Sequence, residues 1–264
     1  MRYFKLYFIL QKANIQSRLM YPFNLFIGII SILFYGIFST LFAWVLTSKF
    51  PIISGWNFYE MLFNISFNLL CYSLTTVFFV VHDIDTLVRN GEFDRILIRP
   101  MNSLFQFVSR RLDINTIGVV IYAIGTLFYS GSHLRHWDAL SIMMAVVLLI
   151  CGFITSTSIS LILASTAFKT LQTRGLFAIK EVCYENFCEY PLNIFSRPIQ
   201  YIFTVIFPMG FIGFYPSVTL LNKSGLSIVK NVTFWWCVVV AVILLTLSVS
   251  IWNRCIKSYA SAGS

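Results

Sequence analysis

ALSIMMAVVLLICGFITSTSISLILASTAF, residues Ala139–Phe168, runs for 30 positions without one Asp, Glu, Lys, Arg or His. A helix needs about 20 apolar residues to cross the hydrocarbon core of a bilayer, with a range of about 17–25. Five other runs have this character: Phe23–Thr47, Phe58–Val81, Ile114–Gly131, Pro198–Leu221 and Thr233–Asn253. Ile114–Gly131 sits near the lower length limit. Pro208 and Pro216 interrupt Pro198–Leu221, which is therefore expected to be kinked or partly re-entrant.

The composition agrees. Apolar residues make up 58% of the 264 positions and charged residues 11%, against about 45–50% and about 25% in ordinary soluble chains. So few charges cannot cover a soluble body of this size, and the apolar excess lies in long runs rather than being spread through a core. The expected architecture is an all-α polytopic membrane protein with six transmembrane helices over residues 23–264. Residues 1–22 carry Arg2, Lys5, Lys12 and Arg18 among apolar positions. Those charges come too early for a signal-peptide core, and no small-residue cleavage site follows, so this stretch is expected to stay on the protein as an amphipathic helix on the membrane surface.

Loop charge sets the orientation. Of 19 Lys and Arg residues, fifteen fall in the N-terminal stretch, the second-to-third loop, the fourth-to-fifth loop and the C-terminal tail; four fall in the other loops. Positive residues stay on the cytoplasmic side, so both termini are expected there, in a bacterial cytoplasmic membrane. The net charge of +9 is read as this orientation signal and not as a nucleic-acid surface. Trp44, Trp56, Trp137, Trp235, Trp236 and Trp252 fall at span ends, where indole rings favour the interface.

Charge is nearly absent from these spans: Glu60, at an outer edge, is the only ionisable acid or base. Ion-coupled transporters commonly place such groups near the midplane, so a self-powered carrier is not expected. Nor is a membrane enzyme. His82, His133 and His136 lie in loops on opposite faces, Asp83 and Asp85 have no metal-ligand partners at useful spacing and are read as a solvated acidic span end, and no GxxxxGK[ST] loop occurs. Cys183 and Cys188 lack nearby histidines for a metal site. Cys71, Cys151 and Cys237, inside spans, behave as small apolar residues. Polar, uncharged residues do occur in the spans: Asn64, Asn68, Tyr72 and Thr75 in the second, and Thr155, Ser156, Thr157, Ser158 and Ser160 in the fourth. They admit two readings, packing between helices or the lining of a path, with Asn64, Asn68, Thr75, Thr155 and Ser158 as the path candidates.

Asp83–Asp113 differs from the rest, with five acidic and five basic residues. Leu104, Phe105, Val108 and Leu112 form an apolar stripe opposite Gln106 and Arg110, Pro100 disfavours helix at Arg99, and Gly91 is expected to end an earlier turn. The expectation is two short helices forming a cytoplasmic handle for a soluble partner.

Within that handle, GEFDRILIRPMNSLFQ (Gly91–Gln106) resembles the G-x-[LF]-D-x-x-L-[LI]-R-P signature of a bacterial branch of the ATP-binding cassette type 2 permeases. Gly55-Trp56, EYPLNIF (Glu189–Phe195) and IFPMGFIGFYP (Ile206–Pro216) are similar to further family pieces in the same order. The resemblance implies a six-span permease that pairs with a second permease, or with itself, over two ATPase subunits. It also implies export of drugs, lipids, peptides or glycans. Gly91, Glu92, Asp94, Arg95, Arg99 and Pro100 match the motif of the cytoplasmic element near the ATPase. ATP and Mg would sit on that partner, with no cofactor on this chain. Lys180, Glu181, Glu185 and Glu189 align with a region that is a span in some members. Four charges make a simple span costly, so this segment is expected to be a cytoplasmic or interfacial helix. The competing expectations are a scaffold that transports nothing and, with less support, a lipid-modifying enzyme.

Overall fold

A computed structural model describes residues 2–134, 137–223 and 227–259. His136 and Arg135 lie outside the described residues, as do the side chains of Arg2, Lys5 and Lys230. Apart from one isolated bridge between Ile53 and Trp56, the described residues form helices and turns.

The long apolar runs form helices α2 (Pro22–Lys49), α3 (Phe58–Phe78), α7 (Ile117–Leu134), α8 (Ala139–Ser165) and α13 (Ser227–Lys257). Among the described residues, five helices are long and apolar enough to cross a membrane, and one bent helix pair, Arg197–Ile206 with Met209–Leu220, would make a sixth if counted as one span. Their boundaries follow local chemistry. Pro22 opens α2, where a missing N–H costs nothing. Asn57 and Glu60 open α3 with a reciprocal capping box, Glu60 N–H donating to Asn57 Oδ1 at 3.0 Å and Asn57 N–H to Glu60 Oε2 at 2.8 Å. α3 is the central helix and is buried along most of its length, with α7, α8 and α2 around it. α8 lies along α13.

The two ends of the bundle differ. One, here the basic end, carries α1 (Arg2–Leu19), the short helices α4 (Ile84–Arg89), α5 (Asp94–Leu97) and α6 (Ser103–Ser109), and the end of α13 with Arg254 and Lys257. Gln11 of α1 donates to Ser109 O at 3.2 Å, which docks α1 on α6. The opposite end carries the turn at Ser54–Trp56, held by paired Ile53 and Trp56 backbone bonds of 3.0 and 2.9 Å. Gly55 there has φ of 83°, a left-handed conformation open to glycine at no steric cost.

The fifth crossing is not where the apolar pattern puts it. Pro198–Leu221 does not traverse the bundle: Arg197–Ile206 and Met209–Leu220 meet at 78° across Phe207-Pro208. Before this bent pair, Asn193 Nδ2 donates to Ser54 O at 3.0 Å; after it, Lys223 Nζ bonds Gly55 O and pairs with Glu60. Both ends therefore sit at the Ser54–Trp56 end, and the segment is re-entrant. The traverse is made by α10 (Arg174–Cys183) and the wide π-turn Tyr184–Cys188 that continues it. Arg174 starts beside Asp85 at the basic end, Nε to Oδ2 3.8 Å. Fifteen residues at about 1.5 Å each advance roughly 22 Å, and the chain reaches Ser54 at Asn193. The segment expected to be cytoplasmic or interfacial is thus a crossing, and the six traverses are α2, α3, α7, α8, residues 174–195 and α13.

Two corrections follow. The charge inventory of the crossings now includes Lys180, Glu181, Glu185 and Glu189 besides Glu60. Also, Lys180 leaves the fourth-to-fifth loop for the bundle interior and Arg197 moves to the opposite end; the remaining thirteen of the fifteen keep the basic end basic.

Candidate functional site: the basic tip and the polar seam

At the basic end the segment from Asp83 to Asp113 is tied together by charge. Arg110 Nη2 donates to Asp83 Oδ2 at 2.8 Å and Arg111 Nη1 to the same oxygen at 2.5 Å, while Glu92 lies 4.0 Å from Arg110. Burial pulls the Arg110 guanidinium down from its ordinary value, and Asp83 opposes that shift. Asp85 is not the solvated span end expected from sequence. It is buried within α4, with Arg89 at 3.9 Å and Arg174 at 3.8 Å.

Three short helices, not two, fold this segment. Gly91 has φ of 68° and ends the turn after α4, as glycine at a helix C-terminus does. The break between α5 and α6 spans Ile98–Asn102 around Pro100, and Asn102 caps α6 by accepting from Phe105 N–H at 3.1 Å. The buried face of α6 also differs from the expected stripe. Gln106, Phe107 and Ser109 are buried, whereas Leu104, Phe105 and Val108 are only partly so. Gln106 turns inward because its amide donates to Ile96 O at 3.2 Å and Met101 O at 3.0 Å, closing the α5–α6 loop.

Phe93, inside the family-like motif, is fully buried in an aromatic cluster with Phe107, Phe168, Trp252 and Tyr259. Phe107 stacks on Trp252 at 5.5 Å and Phe168 meets Trp252 edge-on at 5.1 Å. Trp252 is therefore 0% exposed, not an interfacial belt residue. Trp56 is likewise buried, packed near Phe214 with the Lys223 ammonium 5.0 Å over its ring. Trp44, Trp235 and Trp236 do face outward. The cluster fastens α5 and α6 to the ends of α8 and α13. What remains exposed at the tip is Glu92, Arg95, Leu97, Ile98, Arg99 and Pro100; Ile98 is 81% exposed. Of the six motif residues named from sequence, Gly91 and Asp94 are half-buried and the other four are on this surface.

The second feature is a polar seam between α3 and residues 174–195. Tyr72 bonds Glu181, and its ring stacks on Tyr184 at 3.8 Å between centroids. Asn68 Nδ2 donates to Cys188 O, and Asn64 Nδ2 to Glu189 O at 2.9 Å. From α2, Tyr35 and Ser39 both donate to the Glu189 carboxylate, Ser39 at 2.8 Å. Lys180 is buried, 3.6 Å from Glu181 and 4.8 Å from the Tyr72 ring. These partners replace the water that a charge in a crossing would otherwise lack.

Asn64 and Asn68, named as path candidates, are thus enclosed and bonded to the backbone of the fifth crossing. Thr75 bonds Cys71 O at 3.0 Å within α3, and Thr155 and Ser158 are buried along α8. The structure brings the α3 asparagines together with the 188–189 backbone and does not join them to Thr155 and Ser158 by any hydrogen bond among the described residues. The seam has a signal in the sequence: Asn64, Asn68 and Tyr72 repeat every four residues, as do Glu181, Glu185 and Glu189, so each set lies along one helix face.

Among the described residues, six traverses, a re-entrant pair and a charged tip define a multi-pass helical membrane protein. A sequence model described as ABC-2 family transporter protein matches residues 32–263, and the chain belongs to that family. Its members are membrane subunits, not ATPases, and they work with an ATP-binding cassette component. No curated protein and no solved structure matches the chain.

Proposed function

We propose that this chain is the permease subunit of an ATP-driven exporter in a bacterial cytoplasmic membrane. Two permease subunits, identical or homologous, sit over an ATPase dimer that carries ATP and Mg. The observation that carries this reading is the exposed tip, fixed through Phe93 and Trp252 to the ends of two crossings. A tip fastened in this way passes movement of a bound partner into the bundle. Closure of the ATPases pushes the tips, and the permeases part on one face and meet on the other. The basic end is then cytoplasmic by its charge. α1 lies on the membrane surface, with Phe8, Ile9 and Leu19 exposed.

Reversing Arg95 to Glu, or Asp94 to Lys, in the complex with its ATPase uncouples hydrolysis from transport without unfolding the spans. Transport at the wild-type rate in both variants would remove the docking assignment. A complex that hydrolyses ATP and moves no lipid, drug, peptide or glycan would favour a scaffold instead.

A further inference from the structure

Resting on the permease reading, we infer that the solute class carried is a hydrophobic organic cation, received in an aromatic chamber whose floor is the Glu185 carboxylate. The chamber is an open groove of about 790 Å³ between α2 and the fifth crossing, within the range of about 300–1,000 Å³ typical of sites for drug-sized ligands. Phe42, Phe50, Tyr190 and Phe195 form aromatic walls, with Leu46 beside them. Phe42 and Tyr190 meet edge-on at 5.7 Å between centroids.

Glu185 lies between Glu181, bonded to Tyr72, and Glu189, whose carbonyl accepts from Asn64. It therefore sits level with the middle of α3. Its neighbours in the ladder are each engaged by side chains of the chain itself. Glu185 is exposed and has no hydrogen bond or ion pair among the described residues. It also stands within the π-turn Tyr184–Cys188, a widened turn that is frequent at functional positions.

An anionic group at the depth of the hydrocarbon core needs a positive partner. Aromatic faces attract cations for the same electrostatic reason. A carboxylate that has no cationic partner, under aromatic walls, favours an amphipathic cation over a neutral lipid and disfavours an anionic glycan.

The test is equilibrium binding of tetraphenylphosphonium to the full chain in nanodiscs of zwitterionic lipid, without ATPase, after subtracting binding to empty discs. Saturable binding is expected, weakened roughly tenfold or more in Glu185→Gln and largely kept in Glu185→Asp. Phe195→Ala, which leaves the carboxylate in place, is expected to weaken it by a smaller factor. Equal binding by the wild type and Glu185→Gln, or none that saturates, would overturn the inference. A Glu185→Gln change that alters only the self-association of the chain would assign the carboxylate to a subunit contact and also overturn it. Because no ATPase is present, failure here leaves the permease reading to its own test.

Discussion

Two seams meet on α3 and hold by opposite means. On the α8 side the contact is bare: an added Cβ at Gly152 would come within 2.7 Å of both Cys71 Sγ and Ile212 O, so glycine alone lets α8, α3 and the re-entrant pair touch. On the side of residues 174–195 the contact is made by long polar groups: the Asn64 and Asn68 amides donate to the 188–189 backbone, Tyr72 bonds Glu181, and Ser39 donates to the Glu189 carboxylate. Close approach of small residues and hydrogen bonds between helices are the two devices open to a bundle whose surroundings are as apolar as its side chains. A crossing can carry five charged residues, as 174–195 does with Arg174, Lys180, Glu181, Glu185 and Glu189, when most of them find partners within the bundle or at its end. Hydropathy reports what faces lipid, not what traverses.

Each seam can be broken separately. Gly152→Leu should have the largest effect. It forces backbone and sulfur apart and costs about 3 kcal/mol or more, read as earlier exposure of the buried thiols of Cys71, Cys188 and Cys237 on heating in detergent. An unchanged transition would mean that the α8 seam is loose. Asn68→Ala keeps the Cβ that packs at Gly213 but strands Cys188 O, at a cost of about 1–3 kcal/mol in the same assay. A loss as large as that of Gly152→Leu would make the polar seam the stronger of the two. Thr246→Ala, on an exposed stretch of α13 where the hydroxyl bonds only Ile243 O, should stay within about 0.5 kcal/mol and sets the baseline.

The sequence made part of this legible. Helices α2, α7, α8 and α13 are readable because each presents apolar residues outward, and α3, buried at the centre, is readable because its run after Glu60 carries no charge. Residues 174–195 are hidden because Lys180, Glu181, Glu185 and Glu189 look solvent-bound until Tyr72 on α3 and Tyr35 and Ser39 on α2 are in place to receive Glu181 and Glu189. Pro198–Leu221 is apolar enough to cross, and the kink that Pro208 marks in the sequence is the 78° bend that turns it back. At the tip, Gly91 and Pro100 announce the turns locally. The inward turn of Gln106, by contrast, depends on carbonyls at Ile96 and Met101 that no periodicity in α6 reveals. Trp252 is ambiguous for a related reason: a tryptophan at a span end suits an interface or a core, and the choice rests with Phe93, far away in the chain.

That aromatic cluster has a mechanical consequence. Rings packed to crystal-like density compress little, so under the permease reading a displacement that reaches Phe93 is expected to pass to Phe168, just after α8, and to Trp252 near the end of α13. The compliance of the bundle is then set elsewhere, at the softer joints: the Pro208 elbow and the π-turn at Tyr184–Cys188.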